Sequence, residues 1–262
     1  MAAVSKRPML NGRVNRVKLC GIELEGGWDE QPRGLVIVKD GSVKFPAPGQ
    51  MAAYERGALQ GMNPPVPMIP PLKGEIVSDP LPTDKIAAWI TKAYPTYVNE
   101  TCGLHVHMSF FYRINYARVM CPEFTPYIVE RLKAWAEREQ IPPTHPQWKR
   151  FNPKDPWTLQ HCSHVYLGPE QIKMTRKDYE SRGKPYSRYT FVNYCDGQHH
   201  TVEVRGLSMP EKPEQAISAV MAVVDATNEF LSKIKQRERP EHAVVRPKQE
   251  AMREFRSYLR AA

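Results

Sequence analysis

Three pairs of side chains able to hold a divalent cation or an anion recur at the same short spacing: Glu23-Leu24-Glu25, His105-Val106-His107 and Glu203-Val204-Arg205. Residues at i and i+2 of a β-strand point to one face, so each pair becomes a two-pronged group if its segment is a strand. The neighbouring Ile22, Leu24, Leu104, Val106, Val202 and Val204 are apolar and predict an opposite face packed against helices. Carboxylate oxygens with an imidazole suit Mg²⁺ or Mn²⁺, ions that bridge protein carboxylates to substrate phosphates. Clustered glutamates in turn need a cation to offset their mutual repulsion. For any one E-x-E or E-x-R the competing explanation is a solvent-facing position of an amphipathic strand. Three such pairs, with little Thr, Lys, Ser or Gln between them, favour a site over that explanation.

The elements that must position these pairs are legible in the surrounding pattern. Val14 to Glu25 reads as a strand, Leu35 to Val38 as a second, and Asp40-Gly41-Ser42 as a turn leading to Val43 to Phe45. The prolines of Pro64 to Pro71 exclude a helix or a central strand and predict an extended connection into Gly74 to Ser78. A helix follows Thr83, read as its N-cap. Gly103 to Phe110 alternates as a strand, and Glu123 to Gln140 carries helical spacing through Phe124, Tyr127, Ile128, Leu132 and Trp135, ending before Pro142. Arg188 to Tyr194 and Thr201 to Leu207 read as strands joined at Asp196-Gly197, and Pro213 to Lys235 as a long amphipathic helix. The expected fold is α+β: a curved, mainly antiparallel sheet with helices on its outer face and the metal site on its inner face. The whole chain, 1–262, is expected to be one domain, with an insertion or lid at 142–187 and a C-terminal helical segment at 213–262. His145, His161 and His164 in the insertion read as ordinary surface or core histidines.

Composition narrows the partners without choosing one. A net charge of +9 favours anions: ATP with an acidic substrate, nucleic acid or an acidic protein. The five cysteines form no C-x-x-C pair, which argues for reduced thiols, and no apolar run approaches the ~20 residues that span a bilayer. With no secretory pattern at the start, the expectation is a soluble, cytoplasmic protein with no membrane partner.

In order along the chain, G-I-E-L-E, D-G-S, G-E-I-V-S-D-P-L, C-G-L-H-V-H-M-S, R-Y-T-F-V-N and T-V-E-V-R-G-L resemble the ordered signature of the amidoligase family. G-L-H-V-H-M-S and V-E-V-R are also similar to metal- and nucleotide-binding strands of glutamine synthetase. The resemblance runs from about Gly21 to Leu207, and the order is more specific than any one motif. It implies a fold related to glutamine synthetase and glutamate-cysteine ligase. It also implies Glu23, Glu25, Glu75, His105 and Glu203 as metal ligands and His107 as a contact to metal or phosphate. Arg205 would stabilise the transferring phosphoryl group or bind the substrate carboxylate, since a guanidinium forks onto either anion. Arg188 and Asn193 are further candidates for the same pocket. Asp40 and Ser42 match the D-G-S turn, where the acid would bind the amine substrate; a tight turn at Gly41 explains them equally well.

The activity so implied is ATP- and Mg²⁺-dependent (or Mn²⁺-dependent) joining of a carboxylate donor, a small molecule or peptide, to an amine acceptor through an acyl phosphate. The chain lacks G-x-x-x-x-G-K-[ST] and G-x-S-x-G, consistent with ATP bound without a P-loop and with no serine nucleophile. Rival readings are a histidine-triad nucleotide enzyme, disfavoured by Ser109 at the third position, and a basic nucleic-acid-binding or virion-associated protein, for which no binding motif is present. A degenerate ligase fold acting as a binding module is the remaining alternative.

Overall fold

The structure is a computed structural model describing residues 16–45, 69–111, 118–119, 121, 123–152, 191–195 and 201–237. Among them five strands form one sheet: β1 (Val17–Trp28), β2 (Leu72–Val77), β3 (Gly103–Phe110), β4 (Val192–Cys195) and β5 (Thr201–Ser208). Their order is β2-β1-β3-β5-β4 and every neighbouring pair is antiparallel. The helices are α1 (Ile86–Ala93), α2 (Phe124–Arg138), the short α3 (Pro146–Arg150) and α4 (Pro213–Arg237). The fold class is α+β.

Alternation in the strands divides the sheet into two chemically different faces. Cys20, Ile22 and Leu24 of β1, Leu104, Val106 and Met108 of β3, and Val202 and Val204 of β5 are all buried in the core. The helix layer covers this face. Helix α4 buries Ala216, Ala219, Val220, Val223, Ala226, Thr227 and Phe230, the stripe expected of a 3.6-residue period. It packs against α2, α1, β1 and β3. The Thr227 hydroxyl, which donates to the Val223 carbonyl at 2.8 Å, lies 3.4 Å from Met108 Sδ, and the Phe124 and Phe230 rings meet edge-on at 5.1 Å.

Helix α2 ends in a Schellman arrangement. Gln140 has φ 54°, its N–H donates to Glu137 O, and the N–H of Ile141 donates to Ala136 O. The left-handed backbone at Gln140 ends the helix at Arg138, four residues before Pro142.

Several local expectations are corrected. Leu35 to Val38 is not a strand: only Val38 pairs, exchanging N–H···O=C bonds with Glu75 at 2.8 and 2.9 Å, and both Val36 and Val38 are exposed. Val43 to Phe45 is likewise irregular, although Val43 and Phe45 reach the core. Thr83 does not cap α1: it opens a single 3₁₀ turn, Thr83–Lys85, whose N-cap is Pro82 with no side-chain bond. Within 142–187, the described part belongs to the framework. Gln147 is buried, donates from Nε2 to Gly206 O at 2.8 Å and accepts from the Ser208 N–H at 2.9 Å. Arg150 donates to the carbonyls of Leu207 and Cys102. Together they hold β5 where its pairing to β3 shifts register between Leu104 and Val106. The remainder of that segment, His161 and His164, the Asp196-Gly197 turn and residues 238–262 lie outside the described residues. No described helix is long and apolar enough to cross a membrane.

Candidate functional site

The face opposite the helices carries the three pairs. Cross-strand register places Glu25 opposite Glu75 and Glu23 opposite His105. It also aligns Gly21, His107, Glu203 and Asn193 in one row across β1, β3, β5 and β4. Residues far apart in the chain therefore meet because antiparallel pairing fixes which side chains sit side by side.

Glu23 divides its carboxylate between two imidazoles, with Oε2 at 2.9 Å from His105 Nδ1 and Oε1 at 2.9 Å from His107 Nε2. Glu203 Oε1 lies 3.7 Å from His105 Nδ1 and 3.6 Å from His107 Nε2. Its Oε2 accepts from Asn193 Nδ2 at 2.8 Å, and Arg205 Nη1 donates to Oε1. On the other side of His105, Nε2 is 3.8 Å from Glu25 Oε1, while Glu25 Oε2 accepts the Gly103 main-chain N–H at 2.6 Å. Ser42 Oγ approaches Glu25 Oε1 at 3.4 Å, and the Ser42 N–H donates to Asp40 Oδ1 at 2.7 Å, a side-chain-capped turn.

These contacts resolve into three groups of ligand atoms, each within 4.8 Å, of which the last two share Glu203: Glu25, Asp40 and Glu75; Glu23, His105 and Glu203; His107, Cys195 and Glu203. The first is all oxygen, the donor set preferred by a hard ion. The second adds one imidazole nitrogen and keeps two carboxylates.

Electrostatics follow from burying so many charges together. Burial, then the charges of Glu23, Asp40 and Glu25, raises the Glu75 carboxyl to about 7. Burial alone would raise Glu23 too, but hydrogen bonds and charge from His105 and His107 hold it well below the usual carboxylate range. For His107, burial opposes the proton and is outweighed by hydrogen bonds to Cys195 and Glu23 and by the charges of Glu203 and Glu23, which raise it to about 10. Arg205 is pulled down by burial and more strongly up by Glu203, Glu23 and Glu25, so it remains a cation. Carboxylates that raise one another's affinity for protons offer a divalent cation the same gain. The residues therefore fit a metal, and Asn193, whose Nδ2 donates to Glu203, has a buried Oδ1 with no hydrogen-bond partner.

Of the residues singled out from the sequence, Glu23, Glu25, Asp40, Ser42, Glu75, His105, His107, Asn193, Glu203 and Arg205 converge here; Arg188 lies outside the described residues. The turn and the site are not alternatives for Asp40 and Ser42, which form the turn and face Glu25. His145 accepts the Gln147 N–H at the start of α3 and has no part in the cluster. Two participants were not read as site residues from the sequence, Gly103 and Cys195. Gly103 sits two residues before His105 and so shares its face, a signal present in the alternation. Cys195 has the same relation to Asn193. No protein-family model, curated protein or solved structure matches the chain.

Proposed function

We propose that this protein is an ATP- and Mg²⁺-dependent carboxylate–amine ligase with a catalytic sheet of the glutamine synthetase and glutamate-cysteine ligase kind. The observation that carries the proposal is the gathering of Glu23, Glu25, Glu75, His105, Glu203 and Arg205 on one face of one antiparallel sheet, with Asp40 joining Glu25 and Glu75 from the connection between β1 and β2. The ordered motifs, from G-I-E-L-E to T-V-E-V-R-G-L, support the same reading.

A carboxylate and an amine do not condense in water until the carboxylate oxygen becomes part of a leaving group. In the proposed reaction a donor carboxylate oxygen forms a bond to the γ-phosphorus of ATP as the bond to ADP breaks. The amine then forms its bond to the acyl carbon, phosphate leaves and the nitrogen loses a proton. Phosphoryl transfer asks a protein chiefly for positioning and for positive charge around the transferring group. Magnesium held by the carboxylates of this face would supply that charge. Glu25, Asp40 and Glu75 would hold one ion, and Glu23, His105 and Glu203 a second. Arg205, kept cationic by the surrounding glutamates, would fork onto a phosphoryl or carboxylate group. Gly103 fixes Glu25, and Asn193 fixes Glu203. Asp40, in the D-G-S turn, would also bind the amine substrate.

The test is ATP binding and turnover by the purified chain, with and without Mg²⁺, in the presence of pools of amino acids, polyamines and peptides. Mg²⁺-dependent ADP formation that needs both a donor and an acceptor, and is lost in Glu203→Ala and His105→Ala, is the expected outcome. Binding of nucleic acid with steep salt dependence, and none of ATP, would instead favour a nucleic-acid-binding protein.

A further inference from the structure

We infer that His107, Cys195 and Glu203 form a further metal site that takes a thiophilic divalent ion of the zinc type rather than magnesium. Cys195 follows Asn193 by two residues on β4, so both face the site, and Asn193 pairs with Glu203, which pairs with His107. Glu203 presents a different oxygen to each neighbour: Oε1 lies 3.6 Å from His107 Nε2, and Oε2 lies 3.8 Å from Cys195 Sγ. Around a tetrahedral zinc, bonds of about 2.0–2.3 Å to nitrogen, oxygen and sulfur put such atoms roughly 3.4–3.6 Å apart. One ligand atom from each of the three residues lies within 4.8 Å of the others, so the set closes on an ion after a contraction of about 1 Å. Glu23 Oε1, 2.9 Å from His107 Nε2, stands next to the remaining position.

A second observation points to a ligand independently of the thiol. The Asn193 amide is only 5% exposed; its Nδ2 reaches Glu203 Oε2 at 2.8 Å and lies 3.5 Å from Cys195 Sγ, and its Oδ1 has no hydrogen-bond partner. An unpaired oxygen on a buried amide whose nitrogen touches both Glu203 and Cys195 is accounted for by a water carried by an ion at this site. Sulfur selects the ion: thiolate binds zinc, cobalt or copper and is avoided by magnesium and calcium.

The site shares Glu203 with the Glu23, His105 and Glu203 group. Filling it withdraws that carboxylate, so zinc would inhibit whatever reaction the magnesium set supports. This regulatory consequence rests on the ligase reading; the binding claim does not.

Anaerobic titration of the full chain with Co²⁺ tests the claim through the near-ultraviolet charge-transfer band that a thiolate ligand gives. Wild type is expected to develop the band with one equivalent, to lose it to one equivalent of Zn²⁺ and to keep it in excess Mg²⁺. Cys195→Ser should abolish the band, Cys121→Ser and Glu75→Gln should retain it, and His107→Gln should weaken Co²⁺ binding by about tenfold or more. Circular dichroism of each metal-free variant reports whether it has folded. Absence of the band in wild type, or its survival in folded Cys195→Ser, overturns the proposal. Absence of ATP turnover in Mg²⁺ alone, before any Co²⁺ is added, from a chain that then develops the band would count against the ligase reading alone.

Discussion

The main-chain N–H of Gly103 donates to Glu25 Oε2 at 2.6 Å, so a glycine with no side chain fixes one of the site's carboxylates. A Cβ at this position would lie 2.8 Å from His105 Nε2 and 2.9 Å from Glu25 Oε2. Gly103→Ala should therefore leave the sheet folded and push both ligands aside. The expected loss in Mn²⁺ affinity is about 10- to 100-fold, the range for disturbing the groups that orient a ligand. Calorimetric Mn²⁺ titration, with circular dichroism as the control for folding, reads it; unchanged affinity would mean that Glu25 and His105 bind no metal.

Glu75 makes the site sensitive to pH near neutrality. Its carboxyl is raised from 4.5 to about 7 in the folded chain, so its contribution to stability is fully present below 4.5 and lost as pH rises through about 7. His107, raised from 6.5 to about 10, loses its contribution at higher pH, and Glu23, which is lowered, loses its own at lower pH. The metal-free protein should therefore melt at lower temperature as pH climbs from about 5 to about 7, with Glu75 the source. Added Mg²⁺ should reverse that fall, because the ion replaces the proton. Thermal melts of wild type and Glu75→Gln would show it: the variant should lack this slope.

Asn193 faces Glu203, and turning its amide into an acid sets two carboxyl groups at the present 2.8 Å separation. Asn193→Asp should lower the melting temperature of the metal-free chain and regain most of the loss in Mn²⁺, since a cation between two carboxylates removes their repulsion. Differential scanning fluorimetry with and without metal is sufficient. A deficit equally large in both conditions would show that Asn193 matters for packing only.

The framework makes its own predictions. Gln147→Ala leaves the Gly206 carbonyl and the Ser208 N–H without their present partners, and should cost about 3 kcal/mol in urea unfolding. Gln140→Gly relieves a left-handed backbone at the end of α2 and should stabilise by up to ~1 kcal/mol. A neutral result at Gln140 would indicate that its side chain offsets the backbone strain.

Much of the site was legible because the two-residue period of a strand forces Glu23 with Glu25, and His105 with His107, onto one face whatever surrounds them. Strand β3 was likewise read at its observed bounds, Gly103 to Phe110, since its alternation is uninterrupted. Register is a different matter. That Glu203 meets His107 depends on pairing between strands far apart in the chain, and that Asn193 and Cys195 join them depends on the register of the local β4–β5 pairing; alternation encodes neither. The Leu35 to Val38 error has the same origin: the residues have strand composition, and only Val38 finds a partner. Gln147 and Arg150 were hidden for another reason. Their segment has weak periodicity, and their role is to satisfy main-chain groups of β5 and its neighbours, a function of place rather than of pattern.

The most direct test of the ligase proposal is hydroxylamine trapping. Purified protein with ATP, Mg²⁺ and a pool of carboxylate donors should form a hydroxamate and ADP in equal amounts, and neither should form in Glu203→Ala. ATP cleaved without hydroxamate from any donor, or hydroxamate formed equally by Glu203→Ala, would contradict the assignment of acyl-phosphate chemistry to this sheet face.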